Sequence, residues 1–93
     1  MILEVATLNV KAGMEFEFEQ KFIQASSIIE SMKGYISHEL KKCIEKKNQY
    51  LLLVNWNTLE DHEIGFRKSP EYQDWKSLLH HFYEPFPEVL HYS

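Results

Sequence analysis

Apolar and polar positions alternate along this chain with two different periods. Residues 2–10, ILEVATLNV, are apolar or β-branched on both alternations, the pattern of a strand covered on two faces. Lys11-Ala12-Gly13 makes a turn. From residue 14 to 33 the period lengthens: Phe18, Phe22, Ala25, Ile29 and Met32 recur at steps of four and three, the stripe of an amphipathic helix. Glu15, Glu17 and Glu19 suit its positive N-terminal end, and Lys33-Gly34 its close. Residues 35–44, YISHELKKCI, predict a polar edge strand, where lysines discourage sheet-to-sheet pairing. Glu45 to Asn48 make a hairpin, and residues 49–57, QYLLLVNWN, a central strand apolar on both faces. Thr58 is placed to cap a helix that Arg67 and Lys68 close, with Asp61 in a weak capping box. Ser69-Pro70 restarts a helix carrying Tyr72, Trp75, Leu79 and Phe82, which Pro85-Phe86-Pro87 ends. Glu88 to Tyr92 predict a last short edge strand.

The order β-α-β-β-α-β predicts an α+β fold of ferredoxin-like, split βαββαβ topology with an antiparallel sheet. Right-handed crossovers place both helical segments on one face of that sheet. Strands one and three are apolar on both faces, so the second face needs a cover. A second copy of the chain supplies it most simply, which predicts a homodimer.

Ninety-three residues predict one domain spanning 1–93. Fourteen acidic against 10 basic residues, a formal charge of −4, argue against nucleic acid as partner. No apolar run reaches the roughly 20 residues needed to cross a bilayer, which argues against a membrane. The single cysteine, Cys43, excludes an intrachain disulfide and suits a reducing compartment. Met1-Ile2-Leu3-Glu4 has no signal-peptide character, so a cytoplasmic location is expected. Glycines stand only at 13, 34 and 65, with no glycine-rich phosphate or dinucleotide loop, and there is no G-x-S-x-G element.

Five histidines carry the candidate chemistry: His38, His62, His80, His81 and His91. Their spacing offers no His-x3-His pair on a helix, so neither a metal nor another cofactor is expected. His62 stands out. With Leu59 and Phe66 facing the sheet at steps of three and four, His62 is drawn to the interior, where it can act as a general base. The competing reading is a core histidine bonded to backbone. His38 and His81 are further candidates. The aromatic-rich second half suits a pocket for a flat ligand, with Phe66, Tyr72 and Trp75 as walls, Phe22 from the first helix beside them, and Tyr83 with His81 at the mouth. Thr7, Asn9 and Asn55 sit in the central strands with their face open.

The run Leu51-Leu52-Leu53-Val54-Asn55-Trp56-Asn57-Thr58-Leu59-Glu60-Asp61-His62, then Gly65-Phe66-Arg67-Lys68-Ser69-Pro70, resembles the antibiotic-biosynthesis-monooxygenase family. So do Ser37-His38-Glu39-Leu40 and the ending Phe82 to Tyr92, and the likeness covers essentially the whole chain. The resemblance implies a dimeric α+β barrel. It also implies, as in some members, oxidation of a small aromatic, phenol or quinol by molecular oxygen without a cofactor, the substrate anion itself passing an electron to oxygen. The heme-degrading branch uses an asparagine, a tryptophan and a histidine where this chain has Ala6, Gly65 or Phe66, and Lys76, which speaks against heme cleavage. Many relatives carry a histidine at the position of Phe66; here His62 lies one turn earlier. A non-catalytic dimeric module for a hydrophobic metabolite, and an isomerase or lyase on the same scaffold, are the other readings the sequence leaves open.

Overall fold

The computed structural model describes residues 1–93. Its elements are β1 (Ile2–Asn9), α1 (Glu15–Glu30), β2 (Tyr35–Lys42), β3 (Gln49–Trp56), a π-helical turn (Asp61–Phe66), α2 (Pro70–Leu79), a 3-10 turn (His80–Phe82) and β4 (Val89–Tyr92). The sheet runs β2-β3-β1-β4 with every neighbouring pair antiparallel. This is the split βαββαβ arrangement that the periodicity predicts, with the two doubly apolar strands in the centre.

Alternation sends the side chains of each central strand to opposite faces. Glu4, Ala6, Leu8 and Val10, with Tyr50, Leu52, Val54 and Trp56, are buried on one face. There all but Glu4 form one core with Phe18, Phe22, Ala25 and Ile29 of α1 and with Trp75 and Leu79 of α2. Leu3, Val5, Leu51 and Leu53 alternate with these residues and point away from the helices, beside Leu90 and Tyr92, which pair with Val5 and Leu3. Thr7, Asn9 and Asn55 lie on this second face, and Asn55 donates a side-chain hydrogen bond to Ser37 Oγ at 3.1 Å.

Helix α1 ends at Glu30, with Ser31 as its cap, before the expected Lys33. Gly34 follows with φ +85°, and a Cβ there would fall 2.2 Å from the Asp61 carboxylate. Both the backbone conformation and the close approach of the Asp61 turn therefore require glycine. In α2, Ser69 Oγ accepts the Tyr72 N–H at 3.1 Å and Pro70 opens the helix, as the sequence predicts.

One element differs from its expectation. Thr58 Oγ1 accepts the Asp61 N–H at 3.1 Å, as a cap should, but the chain then winds as a π-turn, with the Arg67 N–H donating to the His62 carbonyl five residues back. The wider turn buries His62 and Phe66 together and leaves Leu59 outside, 37 % exposed, rather than facing the sheet. π-turns of this kind concentrate at functional sites.

Candidate active site

Four elements each bring one polar side chain to a buried point under the π-turn. Glu4 comes from the middle of β1 and is 6 % exposed; His62, from the π-turn, is 3 % exposed. Trp56, at the end of β3, donates its indole N–H to Glu4 Oε1 at 2.9 Å. His62 Nε2 lies 3.3 Å from the same oxygen, and the His62 ring stacks on Trp56 with 5.3 Å between centroids. On its far side, His62 Nδ1 shares a hydrogen bond of 2.8 Å with Nε2 of His91. The β1–β4 register produces this meeting, because it sets His91 directly opposite Glu4.

Burial dominates the acid–base properties of the pair. Loss of water raises the Glu4 carboxyl to about 6, against the opposing pull of the Trp56 indole and the Arg67 charge. Loss of water, then the Arg67 and His91 charges, lowers His62 to about 3. Glu4 thus takes up a proton first. By the pH at which His62 would charge, its neighbour is no longer negative, so the contact is not an ion pair at any pH. At neutral pH a carboxylate faces a neutral imidazole.

These directions oppose each other in stability. A raised carboxyl binds its proton more tightly in the folded state, so its contribution is lost as pH rises between 4.5 and 6, by about 2 kcal/mol. A lowered imidazole does the reverse: its contribution is lost as pH falls from 6.5 towards 3, by about 5 kcal/mol. Between pH 6 and 4.5 the two offset one another, and the loss falls mainly below 4.5. In Glu4→Gln the offset disappears, and urea denaturation should show stability already falling below pH 6.5. Identical pH profiles for the variant and the wild type would contradict this account.

Beside the pair lies a cavity of about 390 Å³ between the sheet, α2 and the segment following the 3-10 turn. The Lys11 N–H bonds the Phe82 carbonyl and the Glu84 N–H bonds the Asn9 carbonyl, both at 2.8 Å, which docks that segment on the end of β1 and carries Tyr83 over the cavity. Of the residues that the sequence proposes, the structure brings His62, Phe66, Tyr72, Trp75 and Tyr83 together on the cavity wall. It does not bring the other three there. Phe22 packs edge-on against Trp75 from the core side, centroids 5.9 Å apart. His38 is part of the edge strand β2, hydrogen-bonded to the Tyr35 hydroxyl at 2.6 Å, and His81 is exposed with its ring on Phe82. The helical spacing that suggests His81 fails because the chain tightens to 3-10 geometry at His80, which turns His80 rather than His81 inward.

Sequence reasoning missed Glu4, Arg67 and Phe86 on the cavity wall, and it counted His80 on that wall and His91 behind it among the five histidines without giving either a role. A signal for Glu4 was present: it is the only charged residue in the apolar run of β1. Burial, followed by the Lys76 charge, lowers His80, so a neutral imidazole lines the same cavity as Glu4. No three His, Cys, Asp or Glu side chains converge on a point that could hold a metal ion. No helix is long and apolar enough to cross a membrane.

Residues 1–78 match the profile of the family described as antibiotic biosynthesis monooxygenase. The uncharacterised protein YczJ of Bacillus subtilis (strain 168) is 60 % identical over 93 residues, covering 100 % of this chain and 98 % of that protein. A Bordetella bronchiseptica protein assigned provisionally as an antibiotic biosynthesis monooxygenase has a crystal structure that superposes with a TM-score of 0.95 at 32 % identity, covering 99 % of this chain and 94 % of its own. SnoaB, a cofactor-independent oxygenase from Streptomyces nogalater, superposes with a TM-score of 0.82 at 20 % identity over 99 % of this chain and 90 % of its own, a likeness of fold alone.

Proposed function

The chain belongs to the antibiotic biosynthesis monooxygenase family, and from that premise we propose that it is a cofactor-independent monooxygenase of a small aromatic, phenol or quinol substrate, working as a homodimer. The observation that carries this reading is Glu4: a buried carboxylate on the wall of an aromatic-lined cavity, with a proton affinity tuned towards neutrality. Glu4 takes the substrate hydroxyl proton. The neutral His80 and the Arg67 guanidinium, both on the cavity wall, stabilise the phenolate that forms. The electron-rich anion reduces molecular oxygen, and the two recombine at a ring carbon. One oxygen atom stays on the ring and the other leaves as water, with all the electrons drawn from the substrate. Phe66, Tyr72 and Trp75 hold the ring flat against the wall.

The homodimer reading rests on the second face of the sheet. Leu3, Val5, Leu51, Leu53, Leu90 and Tyr92 form a contiguous apolar surface there that no element of the chain covers. Such a surface marks an interaction site, and a two-fold pairing of identical faces is the commonest way to bury it.

The test is oxygen uptake by purified, metal-free protein on a panel of quinols and polycyclic phenols. Consumption of one oxygen molecule per quinol, above the rate of autoxidation in buffer, is expected. Ligand binding without oxygen uptake across the panel would replace this reading with a binding module. Exchange of a substrate C–H proton with solvent, again without uptake, would replace it with an isomerase or lyase.

A further inference from the structure

We propose that Glu4, His62 and His91 form a proton relay that connects the cavity to the surface beside Glu63, with His91 as its outlet. This inference rests on the reading of Glu4 as the group that receives the substrate proton. The geometry behind it is a line of polar atoms with the His62–His91 hydrogen bond at its centre. Glu4 Oε1 meets His62 Nε2 at 3.3 Å, His62 Nδ1 meets His91 Nε2 at 2.8 Å, and His91 Nδ1 faces Glu63 Oε1 at 3.9 Å. The inner end of that line is buried and the outer end open: the side chains of Glu4 and His62 are 8 % and 4 % exposed, His91 17 % and Glu63 45 %. The other hydrogen-bond partner of Glu4, the Trp56 indole, is a donor only and cannot carry a proton away.

A ligand seated in the cavity shuts the direct way from Glu4 to water, because the cavity itself is that way. The histidine pair leaves by the opposite side, between the π-turn and β4. His62 has a neighbour at each nitrogen, His91 hydrogen-bonded at Nδ1 and Glu4 3.3 Å from Nε2, while His91 takes that bond at Nε2 and turns Nδ1 outward, 3.9 Å from Glu63; two ring nitrogens facing opposite ways are what a shuttle requires. In the loaded state Glu4 is protonated, and both rings carry their proton on Nδ1. A proton passes from Glu4 to His62 Nε2, another from His62 Nδ1 to His91 Nε2, and a third from His91 Nδ1 to water beside Glu63. Both rings change tautomer, neither keeps a charge, and one proton has left the site. The charged and titratable groups facing Glu4 and His62 are Glu63 from the π-turn and Arg67 at its end, Tyr72 from α2, His80 from the 3-10 turn, Tyr83 just after it, and His91 from β4. The low proton affinity of His62 keeps it a neutral carrier rather than a proton trap.

The relay is tested on the wild-type protein without any substrate. With ¹⁵N-labelled imidazoles and ¹³C-labelled glutamate carboxyls, NMR follows Glu4, His62 and His91 from pH 8 to pH 4.5. The expected result is that protonation of Glu4 moves the His62 proton from Nε2 to Nδ1 while the ring stays neutral. One fixed His62 tautomer throughout the Glu4 titration, or a positive His62 appearing in step with it, would overturn the relay. A second readout uses a quinol that the protein oxidises. His91→Gln should lower kcat by about 10²-fold, the lower end of what proton transfer supplies, with KM unchanged and partial recovery on adding imidazole. Unchanged kcat would overturn the relay. The two ideas fail separately: absence of oxygen uptake removes the monooxygenase and leaves the tautomer exchange standing, whereas a fixed tautomer removes the relay and leaves the monooxygenase.

Discussion

Glu4→Gln is expected to lower the rate of oxygen uptake by about 10²- to 10⁴-fold, the range that a positioned acid–base group contributes. Glutamine keeps the length of the side chain and an oxygen to accept the Trp56 indole N–H, but it cannot take the substrate proton. The fold should survive. A charged Glu4 at pH 7 works against folding by about 2 kcal/mol, because its carboxyl is raised to about 6 from 4.5 by burial, and the neutral amide removes that penalty. The variant should therefore be inactive and at least as resistant to urea as the wild type at pH 7. Glu4→Ala is the harsher change, since it strips the partner from both His62 and Trp56. Oxygen electrode and urea midpoint together decide the matter: full activity in Glu4→Gln would move the base elsewhere, and loss of both activity and stability would make Glu4 structural.

Val54→Asp and Leu53→Asp should separate the two faces of the sheet by their opposite outcomes. Val54 is fully buried on the helix face and lies opposite Glu4 in the β1–β3 register. An aspartate there buries an unpaired charge beside another carboxylate. The penalty, roughly 3–5 kcal/mol or more, is a large part of the about 5–15 kcal/mol by which a small domain is stable. No soluble folded protein is expected. Leu53 is the next residue and faces the other way, among Leu51, Val5 and Leu3. Leu53→Asp should leave the circular dichroism spectrum unchanged and, on the proposed homodimer, give a monomer where the wild type is a dimer in light scattering at micromolar concentration, because the same charge would then be buried only between two copies. A Leu53→Asp protein that remains dimeric would show that a second copy does not cover this face. A Val54→Asp protein that expresses and melts normally would remove β3 from the core.

The elements of this protein follow from its sequence because they depend on short-range periodicity. Phe18, Phe22, Ala25 and Ile29 recur at helical spacing and are buried along one side of α1, and Ser69-Pro70 caps α2, since both effects act within a few residues. The two-faced character of β1 and β3, and the lysine-bearing edge of β2, also fix the strand order in advance. The aromatic wall of Phe66, Tyr72, Trp75 and Tyr83 is legible for the same reason, as a cluster close along the chain. The chemical centre is not. It is assembled from residues 4, 56, 62 and 91, on four elements, and its distances come from strand register and from one wide turn. Alternation tells that a strand has two faces but not which face the helices choose, so Thr7, Asn9 and Asn55 could not be placed. A lone glutamate near a chain start reads as surface by residue type. Only the pairing of Glu4 with His91 across β1 and β4 and the winding of His62 over Trp56 make it a buried acid. Sequence determined what each segment is, through forces that act between near neighbours; the tertiary structure alone decided which distant polar groups lose their water together, and desolvation of that kind is a property of the assembled core.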